Sequence, residues 1–360
     1  MFLKCGLAWR LPLGSRVPCK RFISYTFPRP NSKLAHPKEL FTEEGRAKAR
    51  EERIKGLGPY VSKLPEKLIP YAELMRLEKP VGTWLLYMPC TWSITVAAMQ
   101  TGAPITSTLT MLGLFGAGAI FARGAGCTIN DLLDRNLDNK VIRSVERPLA
   151  SGRVTPTQAK IFFVFQTALS AGVLLMLPSS CFWLGFASFP IVCTYPLFKR
   201  FTYYPQVALS SCFAWGALLG FPAMGVMDVP TMIPLYLSSF LWCMTYDTIY
   251  AHQDKVFDKS AGIKSTALKW GKHSKKIMQG MSVAQVGMLY LAAFNGGFLA
   301  GPGFIAGSAI FTYRLFNMIR KVNLNDPKDC WRAFLSNINS GLYLTAALFF
   351  DFLLGSFGLI

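Results

Sequence analysis

The chain has 360 residues, 52% hydrophobic and only 16% charged, and Lys plus Arg outnumber Asp plus Glu by 38 to 19 for a formal net charge of +19. Repeated apolar windows close to the length that spans a bilayer exclude a soluble domain, and the basic residues do not build the aromatic-basic surface of a nucleic-acid binder. The 9 cysteines are scattered without C-x-x-C spacing, which excludes a disulfide framework and a zinc or iron–sulfur site.

Residues 1–40 carry Lys4, Arg10, Arg16, Lys20, Arg21, Arg29, Lys33 and Lys38 before the first acidic residue, Glu39, with Ser15, Ser24 and Ser32 among them. This is the pattern of a mitochondrial transit peptide, and the scattered arginines and prolines argue against the compact apolar region of a secretory signal. Residues 41–70 are charged and mixed in sign, as in a polar linker or surface helix. The membrane domain is expected over 71–360.

Apolar runs predict an all-α polytopic membrane bundle of about nine transmembrane helices, near 82–100, 108–129, 159–177, 180–198, 206–226, 231–253, 277–294, 297–314 and 338–357. The connections 101–107, 178–179, 227–230 and 295–296 and the C-terminal tail hold no Lys or Arg. The alternate connections hold Lys140, Arg143, Arg147, Arg153, Lys199, Arg200, Lys255, Lys264, Lys276 and Arg332 among others, the asymmetry of the positive-inside rule. With a mitochondrial address, that rule puts the basic loops in the matrix and the bundle in the inner membrane.

Acids gather on the same basic face. Asn130, Asp131, Asp134 and Asp138 end one long apolar run, in which Arg123 is the other charge, and Asp247, Asp254 and Asp258 end another. Carboxylates are costly in apolar surroundings and repel one another unless a cation joins them. At helical spacing Asn130, Asp134 and Asp138 fall at i, i+4 and i+8, and Asp247, Asp254 and Asp258 at i, i+7 and i+11, so each set lines one helix face. Two such faces brought together would hold a hard divalent cation, with Mg²⁺ expected. Arg123 lies two turns deeper than Asn130 on its face. Three separated histidines, His36, His252 and His273, make no histidine metal site. Intramembrane acids also mark ion-coupled transporters, but those place them near the midplane in broken helices rather than at helix ends.

The acidic segments carry a resemblance. Arg123-Gly-Ala-Gly-Cys-Thr-Ile-Asn130-Asp131-Leu-Leu-Asp134-Arg135-Asn-Leu-Asp138, followed by Arg147-Pro148-Leu-Ala-Ser-Gly152, resembles the first signature of the UbiA superfamily of intramembrane aromatic prenyltransferases. Tyr246-Asp247-Thr-Ile-Tyr250-Ala-His-Gln-Asp254-Lys255 with Gly262-Ile-Lys264-Ser265-Thr266-Ala267-Leu268 resembles the second. Tyr195-Pro196-Leu-Phe-Lys199-Arg200-Phe-Thr202-Tyr-Tyr-Pro205-Gln206, Trp215-Gly216 and Arg76-Leu-Glu-Lys79-Pro80-Val-Gly82-Thr83-Trp84 are similar to segments typical of 4-hydroxybenzoate polyprenyltransferases. The chain departs from the usual pattern at Phe257, where an Asp-Asp pair is common before Lys259, and at Glu146, where asparagine is common.

The resemblance implies a Mg²⁺-dependent transfer of a polyprenyl group from polyprenyl diphosphate to the ring carbon ortho to the hydroxyl of 4-hydroxybenzoate, an early step of ubiquinone biosynthesis. It implies the lipid bilayer as surroundings and is compatible with association with other ubiquinone-biosynthesis proteins. Relatives that prenylate haem, chlorophyllide or naphthoate rings share the signatures. Asn130, Asp134, Asp138, Asp254 and Asp258 are the expected metal and catalytic set. Arg123, Asp131, Arg135, Arg143, Arg147, Tyr195, Lys199, Arg200, Asp247, Tyr250 and Lys264 are the expected substrate-binding set, with Arg200 preferred for the acceptor carboxylate because its planar fork can hold two oxygens.

Overall fold

A computed structural model describes residues 43–138 and 144–359. The expected transit segment 1–40 and Arg143 lie outside the described residues. All regular elements among the described residues are helical: α1 (Glu43–Lys55), α2 (Gly58–Val61), α3 (Ile69–Leu74), α4 (Val81–Thr101), α5 (Ile105–Asp138), α6 (Pro156–Leu175), α7 (Ser179–Phe201), α8 (Pro205–Ala214), α9 (Gly216–Ala223), α10 (Val229–Ala251), α11 (Lys255–Ala261), α12 (Thr266–Trp270), α13 (Ser274–Asn295), α14 (Pro302–Lys321) and α15 (Pro327–Ser356). Local chemistry sets several ends. Thr155 and Gln158 form a capping box before α6, Asp228 and Asp326 cap α10 and α15, and Gly102 closes α4 at φ 60°.

Among the described residues, 6 segments are long and apolar enough to cross a membrane by length and composition: Ile105–Arg135, Pro156–Leu175, Ser179–Phe201, Pro205–Ala223, Thr266–Asn295 and Pro327–Ser356. The other three expected spans fall on α4, α10 and α14, whose polar side chains bond inside the bundle and lower their hydropathy. Thr91 Oγ1 lies 2.8 Å from Thr345 Oγ1, Trp92 Nε1 donates to Thr345 Oγ1 at 3.0 Å, Trp242 Nε1 donates to Asn337 Oδ1 at 2.9 Å, and Arg314 Nε donates to Ser340 Oγ at 3.1 Å. Three boundaries differ most from the hydropathy reading: α14 starts at Pro302 rather than 297, α15 starts at Pro327 rather than 338, and α5 continues past the apolar run to Asp138.

Helices α4 and α10 form the interior. Each packs against α9 and α15, and α10 also against α8 and α13. Trp92 and Trp242 meet at 5.2 Å between ring centroids, with Phe311 and Tyr246 around them, and all four are buried. The approach of α9 to α4 depends on glycine, since a Cβ on Gly220 would come within 2.7 Å of the Ile94 nitrogen. On α6 and α7 the apolar side chains Ile161, Val164, Phe165, Trp183 and Phe186 point outward and are exposed, as lipid-facing surfaces are.

Candidate functional site

The last turns of α5 carry the first acidic group. Asp131 is fully buried and accepts from Arg76 Nη2 at 2.7 and 2.8 Å and from Arg147 Nη1 at 3.1 Å. The same Arg147 nitrogen reaches Asp138 Oδ2 at 2.9 Å, so one guanidinium ties two turns of the helix together. Arg76 holds a left-handed backbone, φ 59°, unusual for a side chain of this kind and costing about 1–3 kcal/mol. Its Nη1 also donates to the Glu73 main-chain oxygen at 2.7 Å, and the ion pair to Asp131 offsets the strain. Burial pushes the Asp138 carboxyl up from its ordinary range, against the opposing pull of Arg147.

Asp134 is 2% exposed and faces α7. Its Oδ2 accepts from Lys199 Nζ, whereas its Oδ1 accepts no hydrogen bond and has Arg200 Nη2 at 4.0 Å. Arg200 is half exposed and donates to the Leu133 main-chain oxygen at 3.0 Å. Asn130 is partly buried one turn before Asp134, and Arg135 is exposed.

The second acidic group is divided between two helices, which corrects the expectation of one continuous face. Helix α10 stops at Ala251, the chain tightens through three-residue turns over His252–Asp254, and Asp254 sits at the N-cap of α11, with Asp258 in its first turn. Asp247 therefore stays on the interior helix while Asp254 and Asp258 sit on a short separate one. The end of α7 is tied to the first group and to the segment after α11: the Lys199 side chain binds Asp134, its main-chain oxygen accepts from Lys264 N at 2.9 Å, and Lys264 Nζ donates to the Phe201 oxygen at 3.0 Å.

Deeper in the bundle, Arg123 lies over the Phe213 ring at 5.3 Å, and its Nε is buried without a hydrogen-bond partner. Tyr195, Tyr250 and Asp247 are within electrostatic range of it. Gly82 makes room for it, since a Cβ there would meet Arg123 Nε at 2.5 Å. Tyr250 packs on Phe334 at 4.8 Å, and Tyr246 is buried beside Trp242. Gln206 Oε1 accepts from Thr266 N at 3.1 Å and so ties α8 to the start of α12. The sequence reading gave Arg76, Gly82 and Gln206 no role. Their partners Asp131, Arg123 and Thr266 are 55, 41 and 60 positions away, which no local spacing reveals.

Among the described residues, no group of three or more His, Cys, Asp or Glu is placed to hold a metal ion. The donor chemistry nevertheless fits a hard cation. Asn130, Asp134 and Asp138 offer oxygens on one helix face, and the unbonded, buried Asp134 Oδ1 is an acceptor that needs a partner.

Fold and site together define an all-α membrane protein whose acids and guanidinium groups gather where α5, α7 and α10 end. The chain belongs to the UbiA prenyltransferase family, whose pattern it matches over residues 86–341. It is 65% identical over 321 residues to the mitochondrial 4-hydroxybenzoate polyprenyltransferase of Saccharomyces cerevisiae, covering 89% of this chain and 86% of that one. It is 47% identical to the human mitochondrial protein of the same name over 283 residues, covering 78% and 75% of the two chains. Among solved structures, a UbiA homolog from Aeropyrum pernix superposes with a TM-score of 0.62 at 19% identity, covering 74% of this chain and 97% of that one. A UbiA homolog from Archaeoglobus fulgidus bound to GPP and Mg²⁺ superposes at 0.56 and 19% identity, covering 79% and 99%. At such identities these two structures speak for the fold.

Proposed function

We propose that this protein transfers a polyprenyl group from polyprenyl diphosphate to 4-hydroxybenzoate in the mitochondrial inner membrane, with its charged mouth toward the matrix and nine spans in the bilayer. The observation that carries the reading is the junction of Lys199 with Asp134, which joins the segment typical of 4-hydroxybenzoate polyprenyltransferases to the first acidic signature. The 65% identity over most of the chain supports the same acceptor and disfavours haem, naphthoate and an ion-coupled transporter.

Asn130, Asp134 and Asp138, with Asp254 and Asp258, would hold Mg²⁺, which when bound neutralises the negative charge of a departing diphosphate. The chain's own residues do the rest. Lys199, Arg147 and Lys264 stand where an anionic headgroup enters from the interface, while the apolar walls take the isoprenoid tail. The allylic C–O bond breaks with its electron pair leaving on diphosphate, and the interior excludes water from the carbocation. The ring carbon ortho to the phenol oxygen forms the new C–C bond, and loss of its proton restores aromaticity. For the acceptor carboxylate, Arg123, whose Nε is buried without a hydrogen-bond partner, is better placed than the half-exposed Arg200.

Purified protein incubated with a polyprenyl diphosphate, Mg²⁺ and ring-labelled 4-hydroxybenzoate should yield labelled 3-polyprenyl-4-hydroxybenzoate. Absence of product with this acid, alongside product with a naphthoate, would overturn the assignment of the acceptor.

A further inference from the structure

Glu73 is a buried carboxylate that the proposed chemistry does not use, yet two arginines from separate stretches, Arg53 and Arg153, converge on it. Its side chain is 6% exposed. Arg53 Nη1, from α1, donates to its two oxygens at 3.2 and 3.3 Å, and Arg153 Nη1 donates to Oε2. Arg153 Nη2 donates to the main-chain oxygen of Glu146, whose carboxylate lies 3.5 Å from Arg53 Nε. The Glu73 main-chain oxygen takes another arginine, Arg76, at 2.7 Å.

Each chain of contacts ends on the acids of α5. Arg76 grips Asp131 directly. Arg147, the residue after Glu146, grips both Asp131 and Asp138. A buried carboxylate between guanidinium groups holds its partners firmly, because releasing either leaves charge uncompensated in poor solvent. The loop of residues 144–153 is thereby pinned from outside by α1 and from below by α3.

We propose that Glu73 is a positioning residue: through Arg53 and Arg153 it clasps α1 onto the 144–153 loop, and so keeps Arg147 and Arg76 set on Asp131 and Asp138 for the arriving diphosphate. The proposal rests on the function proposed above. It assigns the charged N-terminal helix a part in substrate binding, although that helix contributes nothing to the bundle core.

Two variants test it, Glu73→Gln, which keeps the shape and removes the charge, and Arg53→Ala, which cuts the α1 arm outside the bundle. Both are measured as full-length purified protein. The KM for polyprenyl diphosphate should rise about five- to tenfold in each, with the KM for 4-hydroxybenzoate within about twofold of wild type. Tryptic cleavage of the Arg153–Val154 bond, read by mass spectrometry below the melting temperature, should accelerate several-fold, because that bond is protected only while the loop is pinned. Glu73→Asp should restore part of both. Unchanged KM and unchanged cleavage in Arg53→Ala would overturn the clasp, as would a Glu73→Gln loss that falls equally on both substrates and tracks a lower Tm. If wild type itself yields no product, the functional reading fails, and the cleavage rates alone decide the clasp: faster in Arg53→Ala supports it, and unchanged refutes it.

Discussion

Lys199 donates its ammonium hydrogen bond to Asp134 across 65 residues of sequence, fastening the end of α7 to the end of α5. The pair is nearly buried on the acid's side and partly open on the lysine's, with side-chain exposures of 2% and 22%. Such an arrangement partners one carboxylate oxygen and leaves the second without a hydrogen bond. A ligand that brings its own charge can displace the lysine without the acid having to enter water.

The first prediction follows from that unbonded oxygen. Asp134→Ala should lower kcat roughly a hundredfold or more, because the group stabilises charge that appears chiefly as diphosphate leaves. Detergent-solubilised variant should still elute as a single species. Single-turnover assays with saturating prenyl diphosphate separate this loss from weakened binding, and near-wild-type turnover would remove Asp134 from the chemistry.

Metal withdrawal is the second. Rigorous chelation should silence the wild type, and Mg²⁺ should restore it, since all the candidate donors are hard oxygens. Equilibrium dialysis with Mn²⁺ as a probe should show binding that Asp134→Ala weakens. Full activity in metal-free buffer would sink the cation-cage reading.

The third concerns Gly82 and Arg123. A methyl at Gly82 would sit 2.5 Å from Arg123 Nε and 2.8 Å from Nη2, so the guanidinium must swing away while the backbone stays. Gly82→Ala should raise the KM for 4-hydroxybenzoate about tenfold with little change in Tm. Arg123→Lys should raise it more than Arg200→Lys does, because Arg200 already spends a donor on the Leu133 oxygen at the exposed rim. The reverse ranking would return the acceptor carboxylate to Arg200.

A fourth separates stability from activity. The buried Asp351 accepts from Gly303 N at 2.7 Å and Phe304 N at 2.6 Å, satisfying the first turn of α14 from the neighbouring α15. Asp351→Ala should cost about 1–3 kcal/mol, the penalty for buried donors left without a partner. Thermal unfolding in detergent should register the loss, whereas specific activity per folded molecule should stay within about twofold, because α14 leads away from the acids. A large drop in kcat at unchanged Tm would contradict this.

The legible part of this protein was whatever repeats within one helix. Apolar runs fell on the long helical stretches, and the i, i+4, i+8 spacing put Asn130, Asp134 and Asp138 on one face of a helix that does run to Asp138. The same spacing argument failed at Asp247, Asp254 and Asp258, because hydropathy does not register the tight turns that end α10 at Ala251. Length and composition alone pick out six candidate spans among the described residues and leave aside α4, α10 and α14, where polar groups satisfy one another inside the bundle.

The sequence by itself determined the helical membrane class and the types of residue available for chemistry, because periodicity and residue type are local properties of the chain. Only the tertiary structure decided which charges meet. Arg76 with Asp131, Lys199 with Asp134, and Arg53 and Arg153 with Glu73 are matched across 55, 65, 20 and 80 residues. Pairings at such separations depend on how whole helices pack. In an apolar interior each buried charge must find its partner wherever packing places one, and that choice is made by the fold as a unit.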